Sequence, residues 1–123
     1  MTARLAAPVL GLVLCWSGAA ASGPLHDLEG EPAALEEHLA PGKWNLVMFW
    51  ASDCVVCSDE IPEYVRFHDA HHERDAQVVG ISLDGLSGLD AARDFVDRHL
   101  VDFPNLVGEP REVAALFTAR TDR

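Results

Sequence analysis

At 123 residues the chain has the length of one domain, and its hydrophobic fraction of 49% is enough for a packed core, which excludes a disordered acidic chain. Twenty Asp plus Glu against nine Lys plus Arg give a formal net charge of -11. Such a surface repels polyanions, so nucleic acid and anionic lipid are excluded as partners.

Residues 1–22 read as an export signal, with Arg4 as a positive start, Val9 to Leu14 as a short apolar run and Ala19-Ala20-Ala21 as a small-residue cleavage site. Cleavage near Ser22 leaves residues 23–123 as the mature domain, in the periplasm or otherwise exported and without stable membrane insertion. The alternative is an uncleaved membrane anchor. Against it, Ser17, Gly18 and Ser22 interrupt the stretch before the roughly 20 apolar residues that a span requires. Cys15 follows Leu12-Val13-Leu14, but Leu14 is not the small residue that precedes a lipid-modified cysteine, so Cys15 leaves with the signal. Cys54 and Cys57 then remain, an even number suited to an oxidising compartment.

Leu25 to His38 is polar and acidic, and Pro32 is placed to open a short helix with Leu35 and Leu39 on one side, closed by Pro41-Gly42. Asn45 to Ala51 is a nearly continuous apolar run, the pattern of a strand buried on both faces. Ser52 and Asp53 are N-cap residues, so a helix is expected to start around Cys54. Ile61, Tyr64, Val65 and His68 give that helix one inward stripe, and Pro62 is expected to kink it. Gln77 to Asp84 reads as a second buried strand. Gly85 to Gly88 is a loop into a helix carrying Ala92, Phe95, Val96 and Leu100 at helical spacing. Phe103 to Val107 reads as an edge strand and Glu112 to Phe117 as a short final helix. Strand, helix, strand, helix predicts an α/β fold with a mostly parallel central sheet and right-handed crossovers.

The segment Trp50-Ala51-Ser52-Asp53-Cys54-Val55-Val56-Cys57 sets two cysteines two residues apart where a buried strand meets a helix. At a helix start Cys54 meets unpaired N–H groups and the positive end of the helix dipole, which favours its thiolate, the attacking species in disulfide exchange. Cys57, one turn on, can attack the mixed disulfide that results. Asp53 works the other way, because a carboxylate beside Cys54 disfavours a second negative charge.

Here the chain resembles the thioredoxin-like disulfide reductases of the TlpA/ResA type, from about Leu25 to the end. The matching residues are Leu46-Val47-Met48-Phe49-Trp50-Ala51-Ser52, then Cys54, Cys57, Glu60 and Pro62, then Val79-Gly80-Ile81-Ser82-Leu83-Asp84. The resemblance implies a thioredoxin-like fold and thiol-disulfide oxidoreductase activity without a cofactor. Its partners would be protein thiols or disulfides and an upstream electron-donor protein. It implies Cys54 as nucleophile, Cys57 as resolving thiol and Glu60 as an aid to proton handling; the plain alternative for Glu60 is an exposed helix carboxylate. Asp53 stands where the family commonly has tryptophan, Val55-Val56 where proline or glycine is usual, and Met48 where thioredoxins proper carry a buried acid. The family continues with a cis-proline loop, two antiparallel strands and a helix, and against that pattern the domain is expected to be incomplete at its C-terminus.

Three other readings compete. Cys54-x2-Cys57-x10-His68-x3-His72 approaches a Cys2His2 zinc pattern, but its loop is short and His68 falls on the apolar stripe. Peroxide reductases of the peroxiredoxin class place a threonine three residues before their cysteine and a proline seven before, where this chain has Ala51 and Val47. A non-catalytic fragment, in which the two cysteines only staple the fold, is the third.

Overall fold

The computed structural model describes residues 23–121. The export signal read at residues 1–22, with Cys15, lies outside the described residues.

Among the described residues the chain forms one five-stranded sheet from β1 (Leu25–His26), β2 (Pro32–Ala33), β3 (Trp44–Trp50), β4 (Ala76–Ser82) and β5 (Asn105–Gly108). The spatial order is β2-β1-β5-β4-β3. β3 and β5 both run parallel to β4, whereas β1 is antiparallel to β5 and to β2. The α/β, largely parallel fold expected from sequence is therefore present, with an antiparallel addition that was not. Three helices complete it: α1 (Val55–His71), α2 (Leu89–Arg98) and α3 (Pro110–Thr121).

Side chains alternate across the sheet and build two cores. Met48, Trp50, Val78 and Val107 pack with Ile61 of α1 and Ala92 and Phe95 of α2. Val79, Ile81 and Leu106 pack on the other face with Val113 of α3 and with Leu35, which belongs to a 3₁₀ turn at Leu35–His38. Trp50 anchors the first core. Its ring stacks on Phe95 at 4.5 Å, a contact contributing about 1 kcal/mol beyond area burial, and its Nε1 donates to Asn105 Oδ1 at 3.0 Å. That bond passes over Gly80, where a Cβ would come within 1.9 Å of Asn105 Oδ1. Glycine is thus what allows β3 and β5 to be bridged across β4.

Several expectations change. Pro32 lies in β2 rather than opening a helix, because Leu25 and Ala33 are pulled into the sheet beside β5. The strand read as an edge, β5, sits between β1 and β4 and is buried throughout. The strand read as buried on both faces, β3, stands at the edge of the sheet among the described residues, and only its Met48 and Trp50 are fully buried: Trp44 is 83% exposed, Leu46 42% and Phe49 43%. Apolar content reports a preference for burial and cannot say how many neighbours a strand receives. The helix expected to include Leu100 ends at Arg98, leaving Leu100 81% exposed while Val101 packs on the core. α1 continues through Pro62, which is exposed; its missing N–H leaves the Ser58 carbonyl without a helical donor. No helix among the described residues is long and apolar enough to cross a membrane.

Candidate active site

The carboxyl end of β3 leads through a tight turn into α1. Cys54 N–H donates to the Ala51 carbonyl at 3.1 Å, closing the turn Ala51-Ser52-Asp53-Cys54. The N-cap is Cys54 itself rather than Ser52 or Asp53: its backbone is extended, and its Sγ accepts the N–H of Cys57 at 3.2 Å. Sulfur here takes the place of the usual side-chain oxygen at a helix start.

Cys54 and Cys57 form a disulfide with Cα atoms 5.2 Å apart, a separation that one helical turn provides without displacing the backbone. Both are half-buried, but their surroundings differ: Cys57 packs against the core of Met48, Trp50 and Ile61, whereas Cys54 is the residue that caps the helix.

Ser52 does not cap the helix because its polar groups are used elsewhere. Its N–H donates to both carboxylate oxygens of Asp84, at 3.1 and 3.0 Å, and its hydroxyl donates to Asp84 Oδ1 at 2.6 Å. Ser82 Oγ donates to the other oxygen at 2.5 Å. Asp84 follows the end of β4, so one carboxylate ties the cysteine turn to the neighbouring strand. From sequence alone Ser52 reads as a cap and Asp84 as a strand end; the Ser-x-Asp spacing of Ser82 and Asp84 is the signal for their contact.

Glu60, three residues after Cys57 on α1, is exposed and lines a cleft of about 670 Å³ with Leu46, Tyr64 and Phe67. It makes no hydrogen bond or ion pair among the described residues. Met48, at the place of the buried thioredoxin acid, is packed in the core.

The zinc reading fails on geometry. α1 is continuous, so His68, eleven residues beyond Cys57, lies about 16 Å further along its axis, too far to share an ion. His68 is also engaged, with Nδ1 accepting the N–H of Val78 at 3.1 Å. His72 stacks on it at 4.8 Å, and its Nδ1 lies 2.9 Å from the His68 carbonyl oxygen. No group of three or more His, Cys, Asp or Glu among the described residues could hold a metal.

With this geometry the chain can be set beside known proteins. It is 28% identical over 96 residues to the thiol-disulfide oxidoreductase ResA of Halalkalibacterium halodurans, covering 78% of this chain and 52% of that protein. It is 44% identical over 50 residues to alkyl hydroperoxide reductase C of Mycobacterium tuberculosis, covering 40% of this chain and 25% of the relative. Among solved structures, MTB dsbF in its mixed oxidized and reduced forms shares 29% identity with a TM-score of 0.60, over 75% of this chain and 65% of that one. The chain thus spans between a quarter and about two thirds of the length of these proteins. The likeness bears out the resemblance to thioredoxin-like thiol-disulfide oxidoreductases. The AhpC/TSA family model matches residues 18–123, which takes in the cysteine turn, both cores and every strand described above, and the chain accordingly belongs to the AhpC/TSA family.

Proposed function

We propose that this chain is an exported thiol-disulfide oxidoreductase that exchanges disulfides with protein substrates through Cys54 and Cys57. The observation that carries the reading is the unequal placement of the pair, with one sulfur at the mouth of a helix N-terminus and the other against the core. In the reduced state the Cys54 thiolate keeps the Cys57 N–H and the positive end of α1 as its stabilising environment.

Cys54 attacks a substrate disulfide, forming a mixed disulfide and releasing one substrate thiolate. Cys57 loses its proton and attacks Cys54 Sγ, closing the internal disulfide and releasing the second substrate thiolate. Two electrons pass to the substrate, and a dithiol donor protein restores the pair. Glu60 is assigned the Cys57 proton in this reading: residues three apart on a helix face each other, and its carboxylate is open to water. Export rests on the signal read at residues 1–22.

The test uses the full chain with a dithiol reductant and a model disulfide. Cys54→Ser should lower turnover by at least about a thousandfold, and Cys57→Ser should accumulate a mixed disulfide visible by mass spectrometry. Equal residual activity in both variants would remove the assignment and favour a structural staple. The same preparation is offered an alkyl hydroperoxide. Faster turnover of the peroxide than of the disulfide would replace this reading with peroxide reduction, the chemistry named in the relative matched over 50 residues.

A further inference from the structure

We propose that Asp84 is the positioning residue of the redox pair, holding the Ala51–Cys54 turn through Ser52 so that Cys54 Sγ stays on the Cys57 N–H; this rests on the thiol-disulfide reading above. Three donors converge on this carboxylate: Ser52 N–H, Ser52 Oγ–H and Ser82 Oγ–H. Only a group that accepts on both oxygens satisfies them all, and an amide in its place would turn an NH2 toward a donor. Hydrogen bonds to an ionised acceptor are also about twice as strong as neutral ones.

The placement is supported from the other side. Gly88 lies so close that a Cβ there would come within 2.8 Å of Asp84 Cβ, so the backbone leaves room for this side chain and for little movement of it. β3 and β4 are joined at the same level, with Leu83 N–H donating to the Trp50 carbonyl at 2.8 Å. The turn that follows has two restraints reaching it: the Cys54-to-Ala51 bond within it, and Asp84 across from β4. Ser52 is the second residue of that turn, and Cys54 is the fourth. Displacement at Ser52 is therefore transmitted over one short peptide segment to the sulfur.

A misplaced nucleophile loses rate steeply, about a hundredfold for an ångström of displacement. A sulfur drawn away from the helix N-terminus also loses its preference for the thiolate. Both effects can be read separately. Ser52→Ala removes one hydroxyl donor while keeping the charge of Asp84. Asp84→Asn keeps the shape and breaks the acceptor pattern.

Two measurements are made on full-length protein whose melting curve shows a retained fold. One is the pH midpoint of Cys54 alkylation by iodoacetamide in the reduced protein; the other is turnover of the model disulfide. Ser52→Ala should raise the alkylation midpoint by about half a pH unit or more and slow turnover about tenfold. Asp84→Asn should slow turnover at least as much. If Asp84→Asn does not fold, Ser52→Ala decides alone. An unchanged midpoint and unchanged turnover in folded Ser52→Ala would overturn the proposal. Wild-type protein that reduces no disulfide, yet shows the alkylation shift in Ser52→Ala, would sink the functional reading and leave the positioning role standing.

Discussion

His68 is buried on the stripe of α1 expected from sequence, yet it does more than fill space. Its Nδ1 accepts the N–H of Val78 at the start of β4, so the neutral ring is part of the packing between helix and sheet. Burial pushes its pKa below the usual imidazole range; Asp102 opposes this, His72 adds to it and Asp69 opposes it. In the unfolded chain the ring takes a proton near pH 6.5, whereas in the folded chain it resists to lower pH. The contribution to stability is therefore complete above about pH 6.5 and lost as pH falls below it, down to the lower folded value. We expect the urea midpoint to fall between about pH 7.5 and about pH 5.5 more steeply in the wild type than in His68→Gln, with a difference of up to about 1.4 kcal/mol per pH unit, the one-proton limit. Equal slopes would mean that other groups carry the dependence. At this scale the pairing of Cys54 with Cys57 at a helix start was legible because their spacing and their strand-to-helix context are local. The Val78 bond was not, since it joins residues ten apart through a fold that periodicity does not describe.

Among the elements, the end of α2 shows a local rule broken. Leu100 has φ 51°, in the left-handed region, where glycine usually stands after a helix. Its N–H donates to Asp97 at 3.3 Å and the Val101 N–H to Val96 at 3.0 Å, so the chain turns out of the helix in a Schellman motif with a leucine at the left-handed position. Because Leu100 is 81% exposed, its side chain returns little packing for the strain of a left-handed residue, about 1 kcal/mol. Leu100→Gly should stabilise the protein by roughly 0.5 kcal/mol after the added freedom of glycine in the unfolded chain, and Leu100→Val should destabilise it. Thermal unfolding of the two variants checks this, and a lower melting temperature for Leu100→Gly would refute it. Helical spacing alone carried Leu100 into α2. The absence of a glycine or proline at that point removed the signal that would have ended the helix two residues earlier.

For the molecule as a whole, β3 is the element whose surroundings matter most. Its even-numbered residues bond to β4, as the Trp44 N–H to Asp75 and Trp50 carbonyl to Leu83 bonds show at its two ends. The N–H and C=O groups of Asn45, Val47 and Phe49 consequently face away from the sheet, along an edge with no charged side chain from Trp44 to Trp50. Both faces beside that edge are apolar, with Leu46 near Tyr64 and Phe67 on one side and Phe49 against Phe117 on the other. An uncharged, exposed edge of this kind favours pairing between chains, and a lysine on it is the usual remedy. Leu46→Lys should reduce concentration-dependent association of the chain roughly tenfold, measured by light scattering, with little change in its melting temperature. Association unchanged by the substitution would place the contact elsewhere.

Local spacing in the amino-acid sequence was enough to read the order of the main strands and helices, the cysteine pair at the β3–α1 junction and the thioredoxin-like class. Each of these follows from spacing within about ten residues, where apolar periodicity and turn chemistry act directly. The strand order, with β5 central and β3 at the edge among the described residues, became visible only in three dimensions, because two-residue strands such as β1 and β2 have no periodicity to read. The tertiary structure also decided that Cys54 caps its own helix. That assignment depended on Ser52 being taken by Asp84, thirty-two positions away in the chain, and such pairings exist only once the sheet has brought the two strand ends together.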